Sequence, residues 1–369
     1  FEKENKGVTV KYHSKGSYGK VLDMVNKNAA SNQGVAIVEI SELLTMKDKN
    51  SIMSLEGFFG PGDKEKFLAE FIPGFLENSY DDKGKLYGIP VMRSTPMIFY
   101  NADHLKEAGV DPKNLPTTWE QLEGLLVKLK KKRGGQAPLV LPSDWYDWVF
   151  ESFILSAGGR LANKSNTGVQ LSDPATVTAL SYWQDLMKKG LMRRNFGSWK
   201  STLKKFLRKD SSIIFYSSGG MSTMDKKSDI NWVTSIMPKK IQHSVPVGAS
   251  NIFLTNNMTP DQKKYAFKFL KYLVRPDVQA QISVTTGYFP VKDKSFEDAR
   301  LKDRFTKPNF KIAREQLNYS HAKTMTRKYN EMRIIVKEAI DKALDKNANP
   351  KTALEAAQKK ADMLLRASK

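Results

Sequence analysis

The sequence predicts an α/β protein of two lobes that enclose a ligand cleft, and three observations carry that expectation. β-rich and helical patterns alternate along the first part of the chain. At 369 residues, with 40% hydrophobic and 10% aromatic content, there is material for two cores. No flexible or low-complexity linker separates the halves, so the chain is expected to pass between lobes more than once, with ligand bound in the crevice at strand C-terminal ends.

In chain order, Phe1 to Lys6 reads as the end of a helix, Val8 to Tyr12 as a strand, Tyr18 to about Asn32 as a helix and Val35 to Ile40 as a strand. This alternation favours a mostly parallel sheet. Met92 to Asn101 is a β-rich run leading straight into the amphipathic stretch Ala102 to Val110, with polar Ser94 and Thr95 on an otherwise apolar strand. A ligand at that turn meets two hydroxyls and free backbone amides, which is a binding layout and not yet an activity.

Thr118-Trp-Glu-Gln121 has the form of a capping box and leads into a helix through Leu122 to Lys132. Asp173-Pro174 places an acid at the N-cap and proline at the first helical position of a helix running to Gly190. Ser212 to Ser217 and Val247 to Leu254 read as strands, the second a return crossing. Thr259-Pro-Asp-Gln262 is a second capping box, opening Lys263 to Val274, and Pro276 starts a helix that stops at Gly287. Residues 291 to 320 read as charged and irregular. Apolar residues at helical spacing then define helices from Tyr329 to Asp345 and from Pro350 to Arg366.

Composition removes whole classes of chemistry. The absence of cysteine excludes disulfides, thiol nucleophiles, iron–sulfur clusters and zinc ribbons. No window reaches about 18 uninterrupted apolar residues, and Phe1-Glu-Lys-Glu-Asn-Lys lacks the apolar core of a signal peptide. A net charge of +21 favours a polyanion or an anionic small ligand. Lysine is nevertheless interspersed with Asp and Glu from end to end, so no nucleic acid is expected as partner. The densest run, Lys128 to Arg133, ends a helix, where cations suit the dipole.

No phosphate loop, dinucleotide fingerprint or nucleophile elbow is present, and the four histidines stand without metal-ligand spacing. No enzyme, no metal and no organic cofactor is expected. Among binding candidates, Glu42 follows an apolar strand, where it either accepts ligand hydroxyls or is an exposed loop acid. Trp145 and Trp148 either pack in the core or face a polyol's C–H surface. Ser217-Ser-Gly-Gly220 and Val247-Gly-Ala-Ser250 are either anion-approachable turns or ordinary tight ones.

Taken in order, Gly16-Ser17-Tyr18 with Leu22, Ser94-Thr-Pro96 with Tyr100-Asn101, Gly109-Val-Asp-Pro112, Pro116-Thr-Thr-Trp119, Gly248-Ala-Ser250 and Thr286-Gly-Tyr-Phe-Pro290 resemble the family 1 extracellular solute-binding proteins of ABC importers. The likeness spans nearly the whole chain. It is greatest to the glycerol-3-phosphate-binding branch, at Trp145-x-x-Trp148 and Met332-Arg-Ile-Ile-Val336.

The resemblance implies a two-lobed periplasmic-binding-protein-like fold (type II, maltose-binding-protein-like), with residues 1–100 and 251–292 in one lobe and 101–250 and 293–369 in the other. It implies ligand contacts at Tyr18, Glu42, Ser94, Trp145, Ser217, Gly248, Tyr288 and Arg333, with Trp148 a further candidate. In that reading Arg333 meets a phosphate, aided by Tyr288, Ser217 and the Gly248 amide. Glu42, Tyr18 and Ser94 meet glycerol hydroxyls, and the tryptophans cover the carbon chain.

The ligand implied is sn-glycerol 3-phosphate or a glycerophosphodiester such as glycerophosphocholine, with a sugar or oligosaccharide as the alternative. The implied partners are two permease subunits with their ATPase, for a monomer working in the periplasm or another extracytoplasmic space. Members of this family begin with a strand and most of a helix ahead of the segment matching Phe1. This departure implies either that residues precede Phe1 or that the first sheet lacks a strand.

Overall fold

The computed structural model describes residues 1–27, 34–142, 144–163, 167–194, 197–227 and 229–367. Through the first crossing the elements are α1 (Tyr18–Lys27), β1 (Val35–Glu39), α2 (Leu43–Asp48), α3 (Asp63–Leu68), β2 (Gly88–Ser94) and β3 (Pro96–Asn101). There follow α4 (Ala102–Glu107), α5 (Trp119–Lys132), β4 (Leu139–Leu141), α6 (Tyr146–Ser156), α7 (Pro174–Lys188), β5 (Met192–Arg194), α8 (Trp199–Leu207), β6 (Ile213–Ser217), α9 (Met221–Lys227) and β7 (Trp232–Ser235). The chain returns through β8 (Val245–Pro246) and β9 (Gly248–Leu254) into α10 (Pro260–Leu273) and α11 (Pro276–Thr286). It closes with α12 (Ala299–Thr306), α13 (Pro308–Glu315), β10 (Ser320–His321), α14 (Tyr329–Asp345) and α15 (Pro350–Arg366).

Two main sheets result. One has the order β1-β9-β2 and is antiparallel throughout; the other has the order β5-β4-β6-β3-β7. In these two sheets only β5-β4-β6 is parallel among the described residues, with β8 and β10 a separate parallel pair, so the expectation of a mostly parallel sheet is corrected. The reason is the return strand: β9 comes back between β1 and β2 and runs against both, and β3 likewise opposes β6 and β7.

Three local expectations also change, and a fourth is described only in part. Residues 1–6 form turns, not a helix end, with the Phe1 ring edge-on to Phe269 at 5.0 Å. Val8 to Tyr12 finds no strand partner and stands in solvent, Tyr12 being 84% exposed. The first helix is described to Lys27, and the rest of its expected length lies outside the described residues. Residues 291–320 are mostly helical rather than irregular. Their helices are only eight residues long and basic, so each carries few apolar residues to mark it; Asp298, accepting from the Arg300 amide at 3.0 Å, and Pro308 start them.

The cap chemistry is more discriminating than the motifs. Thr259 and Gln262 make both bonds of a capping box. Thr118 accepts from the Gln121 amide at 3.2 Å, but the Gln121 carboxamide reaches Thr117, accepting from its amide and hydroxyl at 2.9 and 3.0 Å. Asp173 makes no side-chain cap bond, leaving Pro174 to set the start of α7.

The candidate contacts Ser94, Ser217 and Gly248 lie where the two sheets meet. Ser94 and Gly248 are register partners at the ends of β2 and β9. One residue on, the Thr95 amide donates to the Ser218 hydroxyl (3.1 Å) and the Ser218 amide to the Thr95 carbonyl (3.0 Å), after which Pro96 pairs with Ser217 in the second sheet. Buried Gln316 fastens this junction by donating to the Thr95 hydroxyl and the Pro96 carbonyl, both at 2.8 Å. A single apolar cluster joins Ile89, Val91 and Ile252 of one sheet to Phe99, Val140 and Ile214 of the other, so the lobes are in contact.

Candidate functional site

Four separated stretches of chain build the first wall. β1 ends in Glu39, and a 3₁₀ turn, Ile40–Glu42, follows at once, which draws both carboxylates inward; they are 3% and 4% exposed. The Glu42 Oε2 atom is buried and makes no close hydrogen bond among the described residues, with the Thr45 hydroxyl the neighbouring donor. Burial pushes this carboxyl up to about 8, with the neighbouring Glu39 adding to the rise. The alternative of an exposed loop acid is thereby removed. Tyr18, first residue of α1, lies against Ser250 of β9 and shares a phenol hydrogen bond with Tyr288; burial raises both phenols.

Tyr288 follows Gly287, which ends α11 at φ 90°, a conformation open to glycine. Its ring covers Gly219: a Cβ there would stand 3.1 Å from Tyr288 Cε1. The Ser217 hydroxyl accepts from the Gly219 amide at 3.1 Å, so one amide of the Ser217–Gly220 turn is already engaged. Gly248 is required for a different reason. A Cβ on it would meet Trp148 Cζ2 at 2.6 Å, and Trp148 is anchored there by donating from Nε1 to the Val247 carbonyl at 3.2 Å.

The opposite wall comes from α6, α14 and the segment before α14. Trp145 caps α6 in a left-handed conformation (φ 58°), its amide held by the Asp144 carboxylate at 2.9 Å. Its ring lies 3.9 Å beneath the Arg333 guanidinium carbon and 4.8 Å from Lys323 Nζ. Arg333 is turned toward protein acids. Nε and Nη2 donate to the two oxygens of Asp147 at 2.6 and 2.9 Å, and Nη2 also donates to Asp144 at 3.0 Å. Burial disfavours its charge, but Asp147, with Tyr329 and Asp144 beside it, outweighs that and holds it above the ordinary value. Nη1 bonds none of the described residues.

The structure therefore brings Tyr18 and Tyr288 together, seats Ser217 beneath Tyr288, joins Ser94, Gly248 and Trp148 at the strand junction, and groups Glu42, Trp145 and Arg333 around Lys323. Lys323, Glu39, Asp147, Glu151 and Tyr329 were not singled out by sequence reasoning. Lys323 Nζ donates to Glu39 Oε1 at 2.7 Å with its side chain 2% exposed. Glu151 accepts from the Thr324 amide and hydroxyl at 2.8 and 2.6 Å, and burial lifts it to about 7. Glu39 had the same signal as Glu42, an acid at a strand end. Lys323 had none, being one of 60 Lys and Arg residues in a stretch without periodicity.

Among the described residues no group of three or more His, Asp or Glu is placed to hold a metal ion, and no helix is long and apolar enough to cross a membrane. What the arrangement offers is hydrogen bonding, charge and aromatic surface between two lobes. This is the two-lobed, maltose-binding-protein-like fold. Residues 1–309 match the family of bacterial extracellular solute-binding proteins, and the chain belongs to that family. It is the substrate-binding component of an ABC importer, working outside the cytoplasm, and not an enzyme.

Among its relatives, the sn-glycerol-3-phosphate-binding periplasmic protein UgpB of Yersinia pestis bv. Antiqua (strain Antiqua) is 25% identical over 373 residues, covering 95% of this chain and 84% of its own. The protein of the same name from Escherichia coli O1:K1 / APEC is 25% identical over 389 residues, covering 99% and 87%. In fold, UgpB of Mycobacterium tuberculosis in complex with glycerophosphocholine superposes with a TM-score of 0.86 at 18% identity, covering 99% of this chain and 93% of that one. The cyclic alpha-maltosyl-1,6-maltose binding protein of Arthrobacter globiformis gives 0.82 at 22% identity, covering 96% and 90%.

Proposed function

We propose that this protein captures sn-glycerol 3-phosphate, or a glycerophosphodiester, in the cleft between its lobes and delivers it to the permease subunits and ATPase of its importer. Tyr18, Glu42, Ser94, Trp145, Trp148, Ser217, Gly248, Tyr288 and Arg333 form the ligand site in this reading. The observation that carries it is Glu42: a buried carboxyl oxygen with no close hydrogen bond among the described residues, in the wall it shares with Tyr18 and facing Lys323 and Trp145, is an acceptor that a polyol hydroxyl satisfies. The names of the UgpB relatives support the phosphate end of the ligand.

The lobes proposed are 1–100 with 251–292, and 101–250 with 293–369. The two separate sheets support this division in outline, although all of β3 but Asn101, and the first three residues of β9, fall on the other side of it from their sheets. Ligand contacts on both walls favour the closed arrangement through differential affinity.

One observation favours a second reading, a sugar or oligosaccharide. The Arg333 fork is committed to Asp147, and a neutral sugar makes no demand on it. Calorimetry separates the two. Saturable heat with glycerol 3-phosphate and none with maltose supports the phosphate reading; heat with maltose-type sugars and none with glycerol 3-phosphate removes it.

A further inference from the structure

Lys323 is the feature of the site that the proposed contacts leave unexplained. Its segment is fixed from both lobes: the backbone of Lys323 exchanges hydrogen bonds with the Asn78 carboxamide at 2.8 and 3.0 Å. The Thr324 carbonyl accepts from the Ser41 hydroxyl at 2.7 Å, and Glu151 holds the Thr324 amide. So anchored, the side chain ends with Nζ 2.7 Å from Glu39 Oε1, 4.8 Å from the Trp145 ring and 5.1 Å from the Tyr329 ring. A carboxylate with two aromatic faces at these ranges is the arrangement that receives an organic cation. Here the cation belongs to the protein. Burial opposes its charge, but Glu39 and Tyr329 together outweigh burial and keep the ammonium protonated.

The position also belongs to the ligand wall. Trp145 is a proposed contact, and Glu42 and Arg333 border the same space. We propose that Lys323 is a specificity determinant: its ammonium occupies the cation seat formed by Glu39, Trp145 and Tyr329, so that ligands bearing a quaternary ammonium are disfavoured and anionic phosphates without one are accepted. A ligand cation directed to this seat meets a like charge and finds the carboxylate and both rings already engaged. This inference rests on the phosphate reading above for its accepted ligands, but its exclusion step stands on the cage alone.

The test is calorimetric titration of the full chain and of Lys323→Met with glycerol 3-phosphate, glycerophosphocholine and free choline. Wild type is expected to bind glycerol 3-phosphate about tenfold or more tightly than glycerophosphocholine, and to give no saturable heat with choline. Lys323→Met, which leaves Glu39, Trp145 and Tyr329 in place, is expected to shift that ratio toward glycerophosphocholine by about tenfold and to acquire choline binding. The double variant Glu39→Gln/Lys323→Met removes both charges of the pair and is expected to lose the acquired choline binding.

Wild type that binds glycerophosphocholine as tightly as glycerol 3-phosphate, or a folded Lys323→Met that takes no choline, overturns the proposal. If Lys323→Met fails to fold, the wild-type ratio alone decides. A protein that binds neither phosphate but in which Lys323→Met acquires choline binding retains the cage and loses the phosphate reading.

Discussion

Arg333 and Asp147 form a two-point ion pair across the face of Trp145, with Nε and Nη2 on separate carboxylate oxygens at 2.6 and 2.9 Å. Such a fork fixes the guanidinium plane, leaving Nη1 as its uncommitted donor edge. The acid that neutralises Arg333 thus also aims it. A phosphate at this site would share the cation with Asp147 instead of owning it.

Removing one partner should therefore do more than remove a contact. In Arg333→Ala the Asp147 carboxylate, 5% exposed, remains buried without its cation, and unfolding in urea should show a loss of about 3–5 kcal/mol. Arg333→Met/Asp147→Leu should recover most of that stability while still failing to bind ligand. If Arg333→Ala is as stable as wild type, the pair is not buried in the way described.

Gly248 is held to its identity by space. Gly248→Ala drives a methyl into Trp148, at 2.6 Å from Cζ2, and overpacking of this kind costs about 1–3 kcal/mol. A lowered Tm with altered tryptophan fluorescence is expected, together with weaker ligand binding. Unchanged fluorescence and Tm would show that the indole gives way freely.

The pH dependence of stability should carry the signature of Glu42. Its carboxyl titrates near 4.5 when unfolded and about 8 when folded, so between these values the folded state holds more protons. Its contribution is fully present below 4.5 and is lost as pH rises through about 8, with a slope of about 1.4 kcal/mol per pH unit inside that window. Glu151 acts in the same sense up to about 7. Glu42→Gln should consequently gain stability relative to wild type as pH rises across this window. A difference that does not change with pH contradicts the burial described.

Thr259→Ala supplies the control remote from the cleft. It removes the capping bond to the Gln262 amide at 3.3 Å and should cost about 1 kcal/mol in thermal unfolding. Ligand affinity should not move.

Elements with a local chemical signature were legible in the sequence. The helices Tyr329–Asp345 and Pro350–Arg366 follow from their apolar periodicity, and the end of α11 follows from Gly287. Sheet direction was not legible, because whether β9 runs with or against β1 depends on where the returning chain inserts. The hidden part of the site has the same origin. Glu42 and Trp145 stand beside recognisable strand and helix boundaries, whereas Lys323 acquires its role from Asn78, Ser41 and Glu151, each distant in sequence.

The pairing of Ser94 with Gly248 places two of the proposed contacts at the fulcrum about which the lobes would swing. In the proposed hinge closure, groups on a fulcrum would travel little, whereas Trp145 and Arg333, carried by α6 and α14, would sweep the full arc. An arriving molecule would then meet Ser94 and its neighbours in much the same geometry before and after closing. Substitutions there should slow arrival and hasten departure together. Substitutions at Arg333 should shorten residence time while leaving the arrival rate nearly intact.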